Sequence, residues 1–371
     1  MSEGGLGRTA TADRPGEGVA IADAGAPHVS IVIPTYNNAE SLRRLLRALQ
    51  TSQVPAGGVE IVVVDDGSSD HTARVAAEAE VRYLHQANAG TAAARDLGWR
   101  AARGDVIVFF DDDVIPGPDV VCRLTEALTQ ADGVGARFVV LDGRSLVAHY
   151  AHADGLIDHR VVNGDVRWLI TGAAAFRRDL LERVDGFDLD FLAAGEDVDL
   201  SLRMVATGAR LTLAESATVQ HDHRRRLPQL LETCYRYGTF SSILARRHEA
   251  YRRERSGSAF RMLNPLEWVR LYRRYRREAS RRRSLVFLAL HAIVVVPYAF
   301  GLARALRTAE PLAAPSWRQL EKRTRRALRA DLRHTRRLAG DAEAPAEVEP
   351  EPAEIELPGK PQRLEPEASA A

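Results

Sequence analysis

The sequence predicts an α/β protein built on a mostly parallel sheet and followed by a basic, apolar helical region. Three observations carry this reading. Short β-branched runs alternate with helix-patterned segments between residues 28 and 223. Polar clusters follow three of those runs. A stretch without Lys, Arg, Asp or Glu, residues 284–303, sits between Arg-rich flanks.

The elements follow in order. VSIVIP (29–34) is a short apolar run closed by Pro34 and reads as a buried strand. Residues 39–49 place Leu42, Leu45, Leu46 and Leu49 on one helical face. EIVVVDD (60–66) is a second strand, and GSSDHT leads into a helix reaching Ala79. VRYLHQ (81–86) and DVIVFFDDD (105–113) are further strands, separated by a helix over 92–102. A helix over 119–130 precedes the strand-like ARFVVL, a second helix starts near Glu196, and 209–221 reads as a strand ending at His221. Such alternation means a parallel sheet with crossover helices, and ligands of such sheets bind beyond the C-terminal strand ends. Those ends carry Pro34-Thr35-Tyr36, Asp65-Asp66 and Asp111-Asp112-Asp113.

Composition narrows the class. The chain has 371 residues, of which 45% are hydrophobic and 27% charged, so it is neither disordered throughout nor fibrous. Two cysteines, Cys122 and Cys234, exclude a disulfide scaffold or a Cys-rich zinc site and suit a reducing compartment. The net charge of +1 conceals opposed blocks: −13 over residues 1–223, +13 over 224–283, +8 over 304–337 and −7 over 338–371. Basic blocks of this size point to an anionic surface or a nucleic acid.

Three acidic clusters carry the candidate chemistry. Strand alternation would aim Asp111 and Asp113 the same way, and clustered carboxylates repel unless a cation neutralises them. Oxygen ligands suit Mg²⁺ or Mn²⁺ shared with a diphosphate, although a solvated acidic turn has the same composition. Asp66 could accept from a nucleobase N–H, with Ser69 or Asp70 capping the next helix. A receiver-type phosphoacceptor aspartate also ends a strand, but the chain's lysines, Lys322 and Lys360, lie far downstream. In Gly195-Glu196-Asp197-Val198-Asp199 a carboxylate could serve as general base, or simply favour a helix N-terminus.

Four segments in order resemble the family 2 glycosyltransferases of the GT-A, Rossmann-like fold: VSIVIPTYNNAESL, VVVDDGSSD, NAGTAAARDLGWRAARGDVIVFFDDDVIP and GFDLDFLAAGEDVDLSLR. The resemblance covers roughly residues 28–223. It implies inverting transfer from a nucleotide-diphosphate sugar. By position it implies that Pro34, Thr35 and Tyr36 line the nucleoside pocket, that Asp66 meets the base, and that Arg95 and Asp112 lie near the donor. It further implies Asp111 and Asp113 as a metal-binding D-x-D with Mn²⁺ or Mg²⁺, and Asp197 as base with Glu196 beside it. The Thr171-Gly172-Ala173 loop would sit near the sugar, and His221 would complete the metal site or remain a loop histidine. Many relatives carry Asn where this chain has Asp96, and the Q-x-x-R-W motif of processive synthases is absent. That favours transfer of one or a few sugars. His149, His152 and His159 read as scattered surface residues near an acceptor region.

Residues 285–303 would span roughly 28 Å as a helix, close to a bilayer's hydrocarbon thickness. The stretch reads as a transmembrane, interfacial or buried helix. The Arg- and aromatic-rich 266–283 segment suits an anionic lipid surface better than RNA. The expected organisation is a leader (1–27), a catalytic domain (28–223), a basic helical region (224–283), the apolar segment (284–303), a basic helix (304–340) and an acidic tail (341–371). Residues 1–27 lack the apolar run of a secretory signal. The expected enzyme is an inverting, metal-dependent glycosyltransferase at the cytoplasmic face of a membrane. Its acceptor would be a lipid-linked or cell-envelope glycan. The alternatives are transfer to a polyprenyl phosphate and a catalytically silent sugar-nucleotide-binding subunit.

Overall fold

Every residue of VSIVIPT is buried, because strand β1 (Val29–Thr35) lies mid-sheet with helices on both faces. Its neighbours β2 (Val59–Asp65) and β4 (Val106–Phe110) run parallel to it, and β3 (Arg82–His85) extends the sheet beyond β2. The rest of the sheet comprises β5 (Val114–Pro116), β6 (Gly133–Val140), β9 (Ala173–Arg177) and β10 (Leu211–His221), in the order β3-β2-β1-β4-β9-β6-β10-β5. A separate hairpin pairs β7 (Arg160–Val162) with β8 (Asp165–Trp168). The computed structural model describes residues 28–141, 145–191, 194–221, 226–255 and 264–307, all within one compact unit. The expected leader, the expected basic helix beyond residue 307 and the acidic tail lie outside the described residues.

Alternate side chains of the strands supply two cores. One face sets Ile31, Ile33, Val63, Val108 and Phe110 against Leu42, Leu45, Leu46 and Leu49 of α1 (Ala39–Gln50). The other sets Val32, Val62, Val64, Ile107 and Phe109 against α3 (Thr91–Ala101) and α7 (Glu196–Ala206). At Gly98 in α3 a Cβ would come within 2.3 Å of Val32, so only glycine lets this helix settle on β1. Short helices α2 (Thr72–Glu78), α4 (Val120–Ala127), α5 (Leu146–Asp154) and α6 (Arg178–Arg183) complete the cover.

The sheet is mixed. β9 inserts antiparallel between β4 and β6, and β5 pairs antiparallel with β10. Because β9 runs backwards, its first residue Ala173 pairs with Phe110, the last residue of β4. The turn before β9 therefore meets the C-terminal ends of β1, β2, β4, β6 and β10 on one edge. This is the architecture of a GT-A-like α/β sheet, as the motifs implied.

Four further helices close that edge: α8 (Leu227–Arg247), α9 (Glu249–Arg255), α10 (Pro265–Glu278) and α11 (Arg281–Arg307). Tyr150 of α5, Tyr275 of α10 and Phe287 of α11 are fully buried in their shared core. At its centre Asp154 Oδ1 accepts from the Tyr275 hydroxyl at 2.5 Å and pairs with His291 Nδ1 at 2.8 Å. The helical region thus packs directly on the sheet-bearing part of the chain.

Candidate active site

β4 ends at Phe110, so Asp111, Asp112 and Asp113 occupy a turn rather than a strand. The alternation that would aim Asp111 and Asp113 together does not operate there, and the three carboxylates diverge. Asp112 turns to the end of β1, accepting from Thr35 Oγ1 at 2.7 Å and from Asn38 Nδ2 at 2.8 Å. Burial and the neighbouring Asp113 hold its pKa well above the usual carboxylate range. Asp113 turns to the end of β10, where its Oδ1 lies 3.4 Å from His221 Nε2. Asp111 turns inward to Arg95.

Arg95 of α3 is 3% exposed. Its Nη2 donates to Asp111 Oδ1 and its Nη1 to Glu196 Oε1, both at 2.5 Å. Burial alone would disfavour the cation, but Asp111, Glu196 and Asp197 outweigh it and hold the guanidinium charged. Arg95 therefore joins the turn after β4 to the first turn of α7, residues far apart in the chain. Gly172 abuts the same carboxylate: its carbonyl accepts from the Asp111 N–H at 3.1 Å, and a Cβ there would meet Asp111 Oδ2 at 2.7 Å. The neighbouring Thr171 hydroxyl is buried without a partner.

At the start of α7, Gly195 adopts φ +92°, a left-handed conformation that releases Glu196 and Asp197 into the first turn. Burial first, then Glu196, raises the Asp197 pKa, while Arg95 opposes the rise. Asp199 plays a different part. It accepts from Arg203 Nε at 2.8 Å and pairs with His248 Nε2 at 2.7 Å, locking α7 to the end of α8.

The β2 cluster is already well bonded within the protein. Asp66 accepts from Gln86 Nε2 at 2.7 Å, Ala89 N at 2.8 Å and Gly90 N at 2.9 Å. Asp65 accepts from Ser68 N and from the Tyr83 hydroxyl. Asp70 accepts from Thr72 N and Ala39 N, capping α2 and α1 together. Asp96, at the position where relatives carry Asn, accepts from Trp99 Nε1 and Phe187 N and so ties α3 to the 185–187 turn.

Pro34, Thr35, Tyr36, Asp66, Arg95, Asp111, Asp112, Asp113, Glu196 and Asp197 all line one cavity of about 1110 Å³. Its far wall comes from α8, α10 and α11, a contribution the sequence pattern did not reveal. His159 lines it as well. This residue is held in the protein rather than free at the surface: His159 Nδ1 accepts from Ile170 N at 2.9 Å, and Nε2–H donates to Ala136 O at 2.7 Å. Burial lowers its pKa to about 4.

Among the described residues no three His, Cys, Asp or Glu side chains converge on a metal position. The Asp113–His221 pair still offers a carboxylate and an imidazole close enough to share one divalent ion. That donor set fits Mn²⁺ or Mg²⁺ whose remaining positions are filled by phosphate oxygens and water.

Residues 30–185 match the family described as Glycosyl transferase family 2. The chain carries a family 2 glycosyltransferase domain. It is 34% identical over 238 residues to a pre-mycofactocin glycosyltransferase of Mycobacterium tuberculosis, covering 59% of this chain and 48% of that protein. It is 30% identical over 240 residues to a validoxylamine A glucosyltransferase of Streptomyces hygroscopicus, covering 54% and 56% respectively. The chain thus spans about half the length of these relatives. Among solved structures it is similar to a mannosyltransferase from Pyrobaculum calidifontis, at 18% identity, TM-score 0.49, and coverage of 84% of this chain and 83% of that one. Within the glycosyltransferase domain the matched residues run from β1 through the turn after α6. Glu196, Asp197 and His221 lie beyond that match, although their side chains stand beside Arg95 and Asp113.

Proposed function

We propose that this protein is an inverting glycosyltransferase that moves a sugar from a nucleotide-diphosphate donor to an acceptor hydroxyl. The observation that carries the reading is the Arg95 bridge, which holds the acids after β4 and the acids of α7 on separate terminal nitrogens of one buried cation. Single displacement needs that separation: the diphosphate leaves on one side of the sugar and the acceptor attacks from the other.

Pro34, Thr35 and Tyr36 line the nucleoside end of the cavity, with Asp66 beneath them fixing the 86–90 loop. Asp112 holds that end in shape through Thr35 and Asn38. Asp113 and His221 are the side chains placed to hold Mn²⁺ or Mg²⁺, with Asp111 beside them committed to Arg95 and Gly172. Such an ion neutralises charge that develops on a departing diphosphate. Asp197 takes the proton from the acceptor hydroxyl as that oxygen attacks the anomeric carbon, and Glu196 keeps Arg95 in register. The catalytic residues fall within 28–223, and the helices beyond supply the acceptor side.

Those helices also suit attachment to a membrane surface. Helix α11 contains a segment, Arg281–Arg304, long and apolar enough to cross a bilayer. One of its faces packs on the protein, while Leu285, Val286, Ile293, Val296 and Phe300 are exposed on the other. A helix lying in the interface has this one-sided pattern. The acceptor we favour is accordingly lipid-linked, part of an envelope glycan.

The test is nucleotide release from a panel of nucleotide sugars with Mn²⁺ or Mg²⁺. Release should require metal, fall at least 100-fold in Asp197→Asn, and fall similarly in Asp113→Asn. Metal-independent release, or an Asp197→Asn enzyme of normal rate, would overturn the assigned roles.

A further inference from the structure

Two other half-buried arginines are fully engaged. Arg178 donates to the carbonyl oxygens of Gly104, Ala102 and Trp99. Arg203 donates to Asp199, Val184 O and Gly186 O. Arg236 of α8 is different. It is half-buried, it lines the cavity, and no carboxylate lies within ion-pair distance among the described residues. Its guanidinium makes one long hydrogen bond, from Nη2 to Thr233 Oγ1 at 3.4 Å, and its Nε is buried with no acceptor. A guanidinium carries five N–H donors and cannot escape the problem by losing its proton. A partly desolvated cation with donors to spare is completed by an oxyanion, which it grips through paired N–H···O bonds.

The surroundings say what accompanies that anion. α11 lines the same cavity with Val294, Val295, Ala299 and Leu302, an apolar strip. The same cavity is lined by a chain of hydroxyl groups: Tyr298 Oη donates to Ser241 Oγ at 2.8 Å, and Ser241 Oγ lies 2.9 Å from Tyr251 Oη. A free inorganic anion would use the arginine and leave the apolar strip wet. A neutral sugar would use the hydroxyl chain and leave the arginine uncompensated. Only an amphiphile satisfies both.

We propose that Arg236 binds the oxyanion of an amphiphilic acceptor, a phosphate or carboxylate head whose apolar chain lies along the inner face of α11. This rests on the glycosyltransferase reading only for the word acceptor; the binding site stands on its own residues. Arg236 is then a binding residue for the second substrate, carried by α8 rather than by the strand ends that line the nucleoside end.

The experiment measures binding to the full chain by titration calorimetry, without donor. Three probes separate the sources of binding energy: inorganic phosphate (head alone), dodecyl phosphate (head and chain) and dodecyl maltoside (chain alone), each below its micellar concentration. The wild-type protein should bind dodecyl phosphate more tightly than either partial probe. Arg236→Gln should weaken dodecyl phosphate at least tenfold and leave dodecyl maltoside unchanged. Leu302→Asp should weaken both amphiphiles and spare inorganic phosphate, and thermal melting of each variant checks that it folds. If inorganic phosphate matches dodecyl phosphate, or if Arg236→Gln leaves dodecyl phosphate binding intact, the proposal fails. It also fails if Arg236→Gln weakens a nucleotide-diphosphate sugar instead, since the arginine would then serve the donor. Intact amphiphile binding in a protein that releases nucleotide from no donor would sink the proposed function and leave this site standing.

Discussion

At the scale of single residues, Arg95 bears the most. It is a buried cation held between Asp111 and Glu196, with Asp197 close enough to feel its charge. Removing one member of a buried ionic group strands the others, at a cost of about 3–5 kcal/mol. Arg95→Gln should lower urea stability by about that amount, and Arg95→Gln with Glu196→Gln should cost less than the sum of the singles. Strict additivity would mean the bridge is weak in solution. The same variant has a second readout. Burial and Glu196 raise the Asp197 pKa and Arg95 restrains it, so a general base at Asp197 works only above an elevated pKa. Nucleotide release should therefore rise with pH through that pKa, and Arg95→Gln should move the rise to higher pH. A limb that stays put would detach Asp197 from the proton transfer. The motif around Ala94-Arg95 was legible in the sequence, but its partner was not, because Glu196 stands 101 residues downstream and is reached only through the fold.

At the scale of elements, the crossing of α8 and α11 decides the shape of the cavity's helical wall. The two helices touch through backbone: a Cβ at Gly238 would lie 2.0 Å from Tyr298 O, and one at Gly301 would lie 2.3 Å from Tyr235 O. Gly238→Ala should force the helices apart and cost about 1–3 kcal/mol of stability, the usual range for overpacking. A Tm equal to wild type would show that the contact is slack. These glycines were invisible as a crossing, since nothing local in residues 227–247 marks which turn meets 281–307. The sheet was more legible. Strands with continuous apolar runs, β1, β2 and β4, stand out because both of their faces are covered. β9 was harder to read: AAAFR has small side chains and weak alternation, and only its pairing between β4 and β6 makes it a strand. The turn at Asp111–Asp113 was misread for a related reason. Three acids after VIVFF extend the strand pattern on paper, while their mutual repulsion and separate partners disperse them in the fold.

At the scale of the whole molecule, basic charge and exposed apolar side chains concentrate in α10 and α11. The apolar run 284–303 alone does not tell a spanning helix from a surface one, and its one-sided burial is the pattern of a surface helix. Phe287, Leu290 and Val294 are packed inside, whereas Val296 and Phe300 are 66% and 63% exposed on the other face. His291 is hydrogen-bonded to Asp154 of α5, so inserting α11 across a bilayer would break that contact and open the cavity wall. Leu266 and Val269 of α10 are exposed as well, as are Arg273, Arg276, Arg277, Arg281, Arg282 and Arg283 at the end of α10 and the start of α11. Each basic residue near an anionic surface contributes about 1 kcal/mol, and salt screens that attraction over a Debye length of about 10 Å at 0.1 M. In the peripheral attachment proposed above, electrostatics would supply approach and the exposed stripe of α11 insertion. In co-sedimentation the protein should bind vesicles containing phosphatidylglycerol more than tenfold better than pure phosphatidylcholine, and raised salt should release most of it. Val296→Glu with Phe300→Glu should abolish binding while leaving the melting temperature unchanged, because both side chains already face outward. Retention of the protein through high-salt and alkaline washes would instead identify α11 as a spanning helix. A salt-insensitive dimer lost in the double glutamate variant would assign the stripe to a second copy of the chain.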